Sequence, residues 1–294
     1  MQQQSSHTAA SRSTSWRLRT RTVEFGKRPL VMGIVNVTPD SFSDGGRFFG
    51  EAAAIDHALQ LVRDGADLLD VGGESTRPYS EPVSEAEELH RVVPVVKAIC
   101  ERVGVPVSID TSKASVAETC LAAGAEIIND VTALAGDPRM IDVARQTGAG
   151  VCIMHMQGTP QTMQDHPTYR DVVVEILDFL RARVESLTAA GIDRGRICLD
   201  PGIGFGKTHE HNIALMANCW RFHQLGLPLL VGHSRKGFIA HLIGDKAADR
   251  TAGTIGAACS LAAQGVQIIR VHDVRAVREA ILLFAATGGL EFKL

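Results

Sequence analysis

Short apolar runs alternate along this chain with longer segments in which apolar residues recur at helical spacing. The short runs predict buried β-strands, and the longer segments predict amphipathic helices. Because strands alternate with helices, the pattern predicts a parallel sheet with right-handed crossover connections. The predicted strands are 30–36, 67–73, 105–111, 125–131, 150–156, 196–202, 227–233 and 267–272.

Several predicted helices end at a glycine that precedes the next strand. A glycine at that point can take the left-handed conformation that closes a helix C-terminus. Ser84, followed three positions later by Glu87, predicts a capping box at the start of the second helix. The glycines with this placement are Gly65, Gly104, Gly124, Gly148, Gly191 and Gly265.

Eight strand–helix units in about 260 residues favour an α/β fold of the closed (β/α)8, or TIM-barrel, type. An open, doubly wound parallel sheet is the alternative. No linker-like segment divides the chain, so we expect one domain over residues 17–294. Residues 1–16 are polar and predict a disordered tail, and residues 17–28 predict a short hairpin around Gly26 and Lys27.

Composition and charge exclude several classes of protein. Hydrophobic residues make up 45% of the chain and charged residues 21%, which is typical of a globular protein with a large core. A net charge of −3 gives no electrostatic reason to expect nucleic acid or an anionic membrane as a partner. No apolar run approaches the ~18 residues that a membrane span needs. The six cysteines lack CxxC spacing, so we expect buried thiols and a cytoplasmic location.

Polar or charged residues follow nearly every predicted strand. In a closed barrel the carboxyl ends of all strands meet on one face, where residues distant in sequence come together. Barrel interiors favour branched apolar side chains, so such a set of polar residues predicts an active site. Its members are Asn36, residues 74–77, Asp110, Asn129, Asp130, His155, Asp200, residues 234–236, Arg270 and His272.

One group within this set offers acceptor oxygens and an amide. Asp110, Asn129 and Asp200 follow three different predicted strands. Carboxylates suit a ligand with several N–H donors, such as the edge of a 2-amino-4-oxo-pyrimidine, which they grip with paired hydrogen bonds. The sequence therefore predicts that this group binds a nitrogen heterocycle.

A second group offers positive charge or an oxygen that tolerates a metal. Arg270 and His272 are two positions apart, so both face the same side of the last predicted strand. With Lys236, Arg77 and Asn36 they suit a polyphosphate and its Mg²⁺. A heterocycle joined to a diphosphate would satisfy both groups.

Residues 202–208 (GIGFGKT) look like a phosphate-binding loop but do not fit the pattern. The position that must be glycine in a P-loop is Pro201, and the glycines alternate too closely for a GxGxxG fingerprint. We interpret the segment as a glycine-rich loop after Asp200 that lets the backbone and Phe205 approach a flat ligand.

Seven motifs together closely resemble the dihydropteroate synthase family, in order and spacing, from about residue 30 to the C-terminus. The resemblance implies a (β/α)8 barrel that is usually a homodimer through helices on its outer face. It also implies the folate-pathway reaction that joins 6-hydroxymethyl-7,8-dihydropterin diphosphate to 4-aminobenzoate and releases pyrophosphate, with sulfonamides competing for the aminobenzoate site. The motifs are GIVNVTPDSFSDGG (33–46), DVGGESTRP (70–78), SIDT (108–111), INDV (128–131), LDPGIGFGK (199–207), SRK (234–236) and RVHDV (270–274).

The resemblance implies a pterin pocket. Asp110, Asn129 and Asp200 match the ligands of the pterin edge, and Lys236 matches the group that reaches the pterin carbonyl. Met154 is expected to lie in the same pocket. Asp110 and Lys236 are also implied to be catalytic.

A diphosphate site follows from the same resemblance. Asn36 is similar to the protein ligand of Mg²⁺, which is the implied cofactor. Arg270 and His272 resemble the diphosphate-binding and catalytic residues, and Arg270 would also cover one face of the pterin. Thr76 and Arg77 belong to the second of two mobile loops.

The implied aminobenzoate site includes one departure from the family. The residue after Lys236 is often serine in this family, and its hydroxyl receives the aminobenzoate carboxylate. Here that residue is Gly237, so the hydroxyl is lost. The implied contacts are Thr76, Arg77, Phe205, Arg235, Lys236 and Gly237.

The resemblance implies a dissociative mechanism. Mg²⁺, Arg270 and His272 would stabilise the leaving pyrophosphate, and Asp110 would favour a pterin cation. The first mobile loop, residues 40–46, and the second loop would close and exclude water. The arylamine then attacks the exocyclic carbon without a covalent enzyme intermediate.

Two other functions remain as alternatives. A pterin-dependent methyltransferase shares the barrel and the pterin carboxylates, but a diphosphate site has no purpose there. A paralogue that binds pterin without synthase activity is the second alternative, and Gly237 is the residue that favours it.

Overall fold

The computed structural model of the protein describes residues 12–37 and 46–290, without the side chains of residues 46–49. Most of the predicted first mobile loop, residues 40–46, therefore lies outside the described residues. The strands are β1 (Ser15–Arg17), β2 (Thr22–Glu24), β3 (Leu30–Asn36), β4 (Leu68–Gly72), β5 (Val107–Asp110), β6 (Ile127–Asp130), β7 (Gly150–Met154), β8 (Ile197–Asp200), β9 (Leu230–Val231) and β10 (Ile268–Val271). The helices are α1 (Gly46–Arg63), α2 (Glu85–Cys100), α3 (Ala114–Ala122), α4 (Met140–Thr147), α5 (Val172–Ala189), α6 (His209–Ala217), α7 (Gly237–Ile243), α8 (Thr251–Ala263) and α9 (Val274–Ala286), with 3-10 turns at Arg194–Arg196 and Cys219–Leu225.

Strands β3 to β10 form one eight-stranded parallel sheet in the order β8-β7-β6-β5-β4-β3-β10-β9. The remaining seam, between β8 and β9, is joined by a parallel bridge between Leu199 and Leu229. The N–H of Leu199 also donates to the carbonyl of Pro228 over 2.9 Å. The sheet thus curls into a barrel, as predicted, and the doubly wound alternative is wrong.

All eight predicted barrel strands are present, and β3 has the predicted bounds. The main difference is β9, where the predicted strand 227–233 is reduced to Leu230–Val231. Pro228 has no N–H to donate to a neighbouring strand, so regular pairing starts only after it. The strand ladders are shorter than the apolar runs because the runs continue into the loops that cover the barrel.

Helix ends largely follow the predicted signals. The hydroxyl of Ser84 accepts from the N–H of Glu87 over 3.3 Å and so caps α2. Gly104 does not take the predicted left-handed conformation, because α2 already ends at Cys100 and Glu101 closes it in a right-handed conformation. The left-handed glycines at the predicted positions are Gly65, Gly124, Gly148, Gly191 and Gly265.

The N-terminal hairpin covers the amino-terminal end of the barrel. β1 pairs with β2 in antiparallel register, and Trp16 is fully buried with its indole N–H donating to the carbonyl of Arg196 over 2.7 Å. Trp16 and Leu18 pack against residues near the starts of the barrel strands, including Met32. The prediction of a disordered tail through residue 16 is wrong at its end, because burial of the Trp16 ring orders the chain there. The predicted turn at Gly26 and Lys27 is also wrong, since the hairpin turns within residues 18–21.

A larger apolar cluster fills the space between the barrel strands and the surrounding helices. All six cysteines are free thiols, and four of them are buried. In the part of the chain that the structure describes, no helix is both long and apolar enough to span a lipid bilayer.

Candidate active site

The carboxyl ends of the barrel strands bring the predicted polar residues together. Asp110 ends β5, and its neighbour across the ladder is Asn129 in β6. Asp200 ends β8 beside Met154, the last residue of β7. Arg270 enters the same region from β10.

Arg270 lies at the centre of an ionic network. Its Nε donates to Oδ2 of Asp70 over 2.6 Å, and its Nη2 donates to Oδ2 of Asp110 over 3.0 Å. Asn129 Nδ2 donates to the same Asp70 oxygen over 3.1 Å. Burial by itself lowers the pKa of Arg270, but Asp70 and Asp110 outweigh it and raise that pKa above its ordinary value. The guanidinium therefore stays charged and is held in one orientation.

Asp70 holds the members of this network together. It is a fully buried residue in β4, and it joins Arg270 to Asn129 through one carboxylate oxygen. Burial raises the pKa of Asp110, the nearby charge of Asp70 raises it further, and Arg270 opposes both effects. The pair of carboxylates thus shares a single arginine.

Asp200 and Lys236 form the opposite side of the site. Oδ1 of Asp200 accepts from the N–H of Gly202 over 2.7 Å. Burial raises the pKa of Asp200 to about 6, against the lowering effect of this hydrogen bond and of Lys236. Burial also lowers the pKa of Lys236 to about 8, and the charge of Arg270 acts in the same direction. Both groups therefore titrate close to neutral pH.

The glycine-rich loop between β8 and α6 lies against Lys236. Gly202, Gly204 and Gly206 all have positive φ angles, which favour glycine. A Cβ added at Gly204 would lie 2.9 Å from Cδ of Lys236, so the lysine stem lies directly on the loop backbone. Lys236 Nζ is 4.2 Å from the centroid of the Phe205 ring, within the range of a cation–π contact.

His272 faces the site from the end of β10. The Oγ of Ser234 accepts from the His272 backbone N–H over 3.3 Å and lies 3.0 Å from its Nδ1. Burial lowers the pKa of His272 to about 4, and the charges of Arg270 and Arg235 lower it further. A ring with this pKa is neutral near pH 7, so His272 adds a hydrogen-bonding group rather than a charge to this side of the site. The contact with Ser234 engages Nδ1 and so fixes the orientation of the ring.

The second predicted mobile loop, which contains Thr76 and Arg77, lies beside His272. Thr76 is half-buried and Arg77 is exposed. Arg77 is near enough for its charge to contribute to the lowered pKa of His272. Tyr79 anchors the loop, because its N–H donates to the carbonyl of Pro160 over 3.1 Å.

Three predicted residues lie at the rim. Arg235 pairs with Asp273, with its Nε 3.0 Å from Oδ2, so its guanidinium is held at the start of α9. Gly237 is exposed at the start of α7, and a Cβ there would meet only Cε1 of His209, at 3.7 Å. Asn36 is half-buried at the end of β3.

A family defined as "Pterin binding enzyme" matches residues 32–272 of this chain. The dihydropteroate synthase of Escherichia coli strain K12 is 47% identical over 259 residues, which cover 88% of this chain and 92% of the relative. The chain belongs to the dihydropteroate synthase family. This membership makes it a transferase of folate biosynthesis, as the motifs predict.

Solved structures of the dihydropteroate synthase family agree with the fold. The synthase of Yersinia pestis with a sulfonamide drug complex superposes with a TM-score of 0.87 at 46% identity, covering 93% of this chain and 98% of that one. The synthase of Xanthomonas albilineans in complex with 7,8-dihydropteroate superposes with a TM-score of 0.83 at 41% identity, covering 93% and 98% of the two chains.

Lys207 is a buried residue near the site that sequence reasoning missed. Lys207 is 2% exposed, and its Nζ donates to the carbonyls of Phe205, over 2.7 Å, and of His155, over 3.2 Å. Lys207 ends the motif 199–207, but the P-loop pattern fails there, so the sequence predicts no separate role for it. The signal in the sequence that pointed to this lysine is its position directly after the glycine-rich loop. The role of Ser234 in orienting His272 depends on β9 and β10 being neighbours, which no local pattern shows.

Histidines outside the site have structural contacts. His211 Nδ1 accepts from the N–H of Thr208 and completes the capping box of α6. His209 stacks on His241 with ring centroids 4.3 Å apart. His233 Nε2 contacts the carbonyl of Thr254 over 2.9 Å.

Proposed function

We propose that this member of the dihydropteroate synthase family condenses 6-hydroxymethyl-7,8-dihydropterin diphosphate with 4-aminobenzoate, giving 7,8-dihydropteroate and pyrophosphate. The observation that carries the proposal is the arginine-centred network, which places two carboxylates, an amide and a guanidinium at one end of the barrel. The relative from Xanthomonas albilineans that binds 7,8-dihydropteroate supports the same product here.

The pterin is proposed to bind between the two carboxylate sides of the site. Asp110, Asn129 and Asp200 would accept from or donate to the polar edge of the ring. Lys236 would donate to the pterin carbonyl, which requires its charged form. Met154 is buried at the end of β7 and would form the apolar floor of the pocket.

The diphosphate is proposed to lie on the Arg270 and His272 side. Arg270 supplies a fixed positive charge, and His272 would donate an N–H from Nε2 when Ser234 donates to its Nδ1. Arg77 and Thr76 would contact the same oxygens from the second loop.

Asn36 is the proposed protein ligand of Mg²⁺. Within residues 12–37 and 46–290, no cluster of three or more His, Cys, Asp or Glu side chains has the arrangement of a metal site. An amide oxygen suits Mg²⁺ when substrate phosphates provide other ligands, so the residues present fit a jointly held ion. When bound, Mg²⁺ would neutralise charge that develops on the leaving pyrophosphate.

The aminobenzoate is proposed to lie between Phe205 and the stem of Lys236, which are already in contact. Gly237 opens space at the start of α7 for its carboxylate. Thr76, Arg77 and Arg235 would contact the ligand from the loops, and Arg235 would leave Asp273 in order to do so.

The proposed reaction is dissociative. The bond between the exocyclic carbon and the diphosphate oxygen breaks, and its electron pair leaves with pyrophosphate beside Arg270 and His272. The carboxylate of Asp110 favours the resulting pterin cation. The arylamine nitrogen then forms the new bond to that carbon and releases its proton to solvent or to pyrophosphate, while the two loops exclude water.

The test is pyrophosphate release by the purified protein. We expect release that depends on both 4-aminobenzoate and Mg²⁺, and the variant Asp110→Ala should lose ~10²-fold or more of turnover. Tight pterin binding without any release would instead favour the paralogue that binds pterin without catalysis. A methyltransferase has no use for the diphosphate side of the site, so it is not favoured.

We also propose a homodimer in the cytoplasm. α7 and α9 flank α8 and expose apolar side chains, with Leu242 63% and Leu283 67% exposed. The side chain of Ile239 packs closely on Gly253, so α7 and α8 are adjacent, and α8 also contacts α9. A second copy would cover this face. The free cysteines suit a reducing compartment.

A further inference from the structure

Lys207 is a buried lysine that the proposed reaction does not use. Its Nζ donates to the carbonyl oxygens of Phe205 and His155, and it lies 3.1 Å from Nδ1 of His155. An ammonium group has three N–H donors, so these contacts use all of them. The lysine therefore acts as a three-point clamp between the end of β7 and the glycine-rich loop.

The clamp is costly for the fold. Among the described residues, no carboxylate forms an ion pair with Lys207. Burial lowers the pKa of Lys207 well below its ordinary value, which shows how strongly this position disfavours the charge. An apolar side chain of similar length would fill the same space without that cost. The hydrogen bonds to the two carbonyls are what an apolar residue would not provide.

The glycine-rich loop lies directly on the loop that follows β7. A Cβ added at Gly202 would collide with the carbonyl oxygen of His155, and one added at Gly206 would collide with the backbone of Gln157. The hydroxyl of Tyr169 donates to the carbonyl of Gly206 over 2.8 Å and holds the loop from its outer side. Of the contacts that hold this loop, the one from Lys207 is a hydrogen bond to Phe205 itself.

We propose that Lys207 is a positioning residue for 4-aminobenzoate, because it fixes the Phe205 backbone and with it the ring that faces Lys236. The inference rests on the proposed function. The carbonyl of Phe205 is bonded to Lys207 at 2.7 Å, while the ring of the same residue lies 4.2 Å from Lys236 Nζ. Without that bond, Phe205 is fixed only through its neighbours in the loop, so its ring can shift relative to the lysine.

Such a shift affects one substrate more than the other. Three of the four proposed polar ligands of the pterin lie on strands β5, β6 and β8, and Asp200 is also held by the N–H of Gly202. The fourth, Lys236, is the N-cap residue of α7. Phe205 lies on the loop and has no equivalent support from a strand. A displaced Phe205 therefore weakens the aminobenzoate site while the pterin edge keeps its ligands.

The experiment compares Lys207→Met with Lys207→Gln and with Lys97→Met, an exposed lysine on α2. Steady-state kinetics with each substrate varied should show the KM for 4-aminobenzoate raised ~10-fold or more in Lys207→Met, since small displacements from a productive geometry are costly. The KM for the pterin diphosphate should stay within about two-fold of wild type. Lys207→Gln keeps two N–H donors and should give an intermediate value, and Lys97→Met should give none of these changes.

A pH profile provides a second measurement. The charge of Lys207 helps to lower the pKa of Asp200, so its loss should move the acidic limb of the activity profile to higher pH. This shift reports the charge of Lys207 near Asp200, whereas the difference between the two KM values reports its effect on Phe205.

Each failure has a distinct signature. Absence of pyrophosphate release by the wild-type protein would contradict the proposed function. Normal release with unchanged or equally raised KM values in Lys207→Met would contradict the positioning role. Loss of folded protein in both Lys207 variants, seen as lost cooperative thermal unfolding, would make Lys207 structural and overturn the inference.

Discussion

Asp200 and Lys236 are two proposed pterin ligands whose charges change close to neutral pH. Asp200 must be ionised to accept N–H donors, and burial raises its pKa to about 6, so acceptance is lost as the pH falls through that value. Lys236 must be protonated to donate, and burial lowers its pKa to about 8, so donation is lost as the pH rises through that value. We expect kcat/KM for the pterin diphosphate to be bell-shaped, with limbs near these two values.

The variant Lys236→Arg separates the two limbs. A guanidinium stays protonated, so the alkaline limb should disappear while the acidic limb stays in place, even at lower overall activity. A profile that is flat over about pH 5 to 9 would contradict the assignment of both groups.

Gly237 provides a second prediction at the scale of single residues. A side chain fits there, because a Cβ would meet only His209 at an ordinary contact distance of 3.7 Å. The change Gly237→Ser restores a hydroxyl beside the proposed aminobenzoate carboxylate and should lower the KM for aminobenzoate by ~3- to 10-fold, since one hydrogen bond contributes a net ~0.5–1.5 kcal/mol. The matched control is Gly256→Ser on α8, where a Cβ has no neighbour within 4 Å. An unchanged KM in Gly237→Ser would place the carboxylate elsewhere.

At the scale of elements, the N-terminal hairpin covers and stabilises the amino-terminal end of the barrel. Trp16 is fully buried and hydrogen-bonded to the carbonyl of Arg196, whereas the second tryptophan, Trp220, is 56% exposed. The change Trp16→Ala should lower the free energy of unfolding by ~3–5 kcal/mol, as expected for a large side chain removed from a core. Urea denaturation followed by circular dichroism measures this loss.

The exposed tryptophan is the control for the hairpin. Trp220→Ala should change the free energy of unfolding by less than about 1 kcal/mol, since more than half of that residue's surface stays in water. Equal losses in the two variants would show that the hairpin does not stabilise the barrel.

The β8–α6 loop shows how an element is shaped by its neighbour. Its three left-handed glycines follow a strand end, and the sequence predicts a close approach there. Which surface the loop approaches is decided by β7 and the chain after it, since His155 and Gln157 occupy the space that Cβ atoms would need. The local sequence therefore indicates that the loop can approach another surface closely, and tertiary packing determines which surface that is.

At the scale of the whole molecule, the exposed apolar face of α7 and α9 predicts the oligomeric state. Leu283→Glu places a charge in the proposed interface and should convert the dimer to a monomer in sedimentation velocity experiments, because an unpaired buried charge is strongly disfavoured. Val174→Glu on α5 is the control, since that side chain is 37% exposed and lies outside this face. Dimers that persist in Leu283→Glu would place the interface on another surface.

Much of the fold follows from the sequence because it depends on local periodicity. The alternation of strands and helices, the glycine helix ends and the polar residues after the strands are each visible within a few residues. The hairpin turn and the end of the tail were predicted wrongly, because both depend on where the Trp16 ring is buried. That burial involves Met32 and other residues distant in the chain.

The sequence by itself determined a parallel barrel, the family, and the residues that meet at its carboxyl end, since strand periodicity and motif spacing are properties of the linear chain. Only the tertiary structure decided which of these residues are partners. Arg270 is joined to Asp70 across 200 positions and to Asp110 across 160. The clamp of Lys207 on His155 and the neutral ring of His272 also arise only where barrel closure brings distant strands together and removes their charges from water.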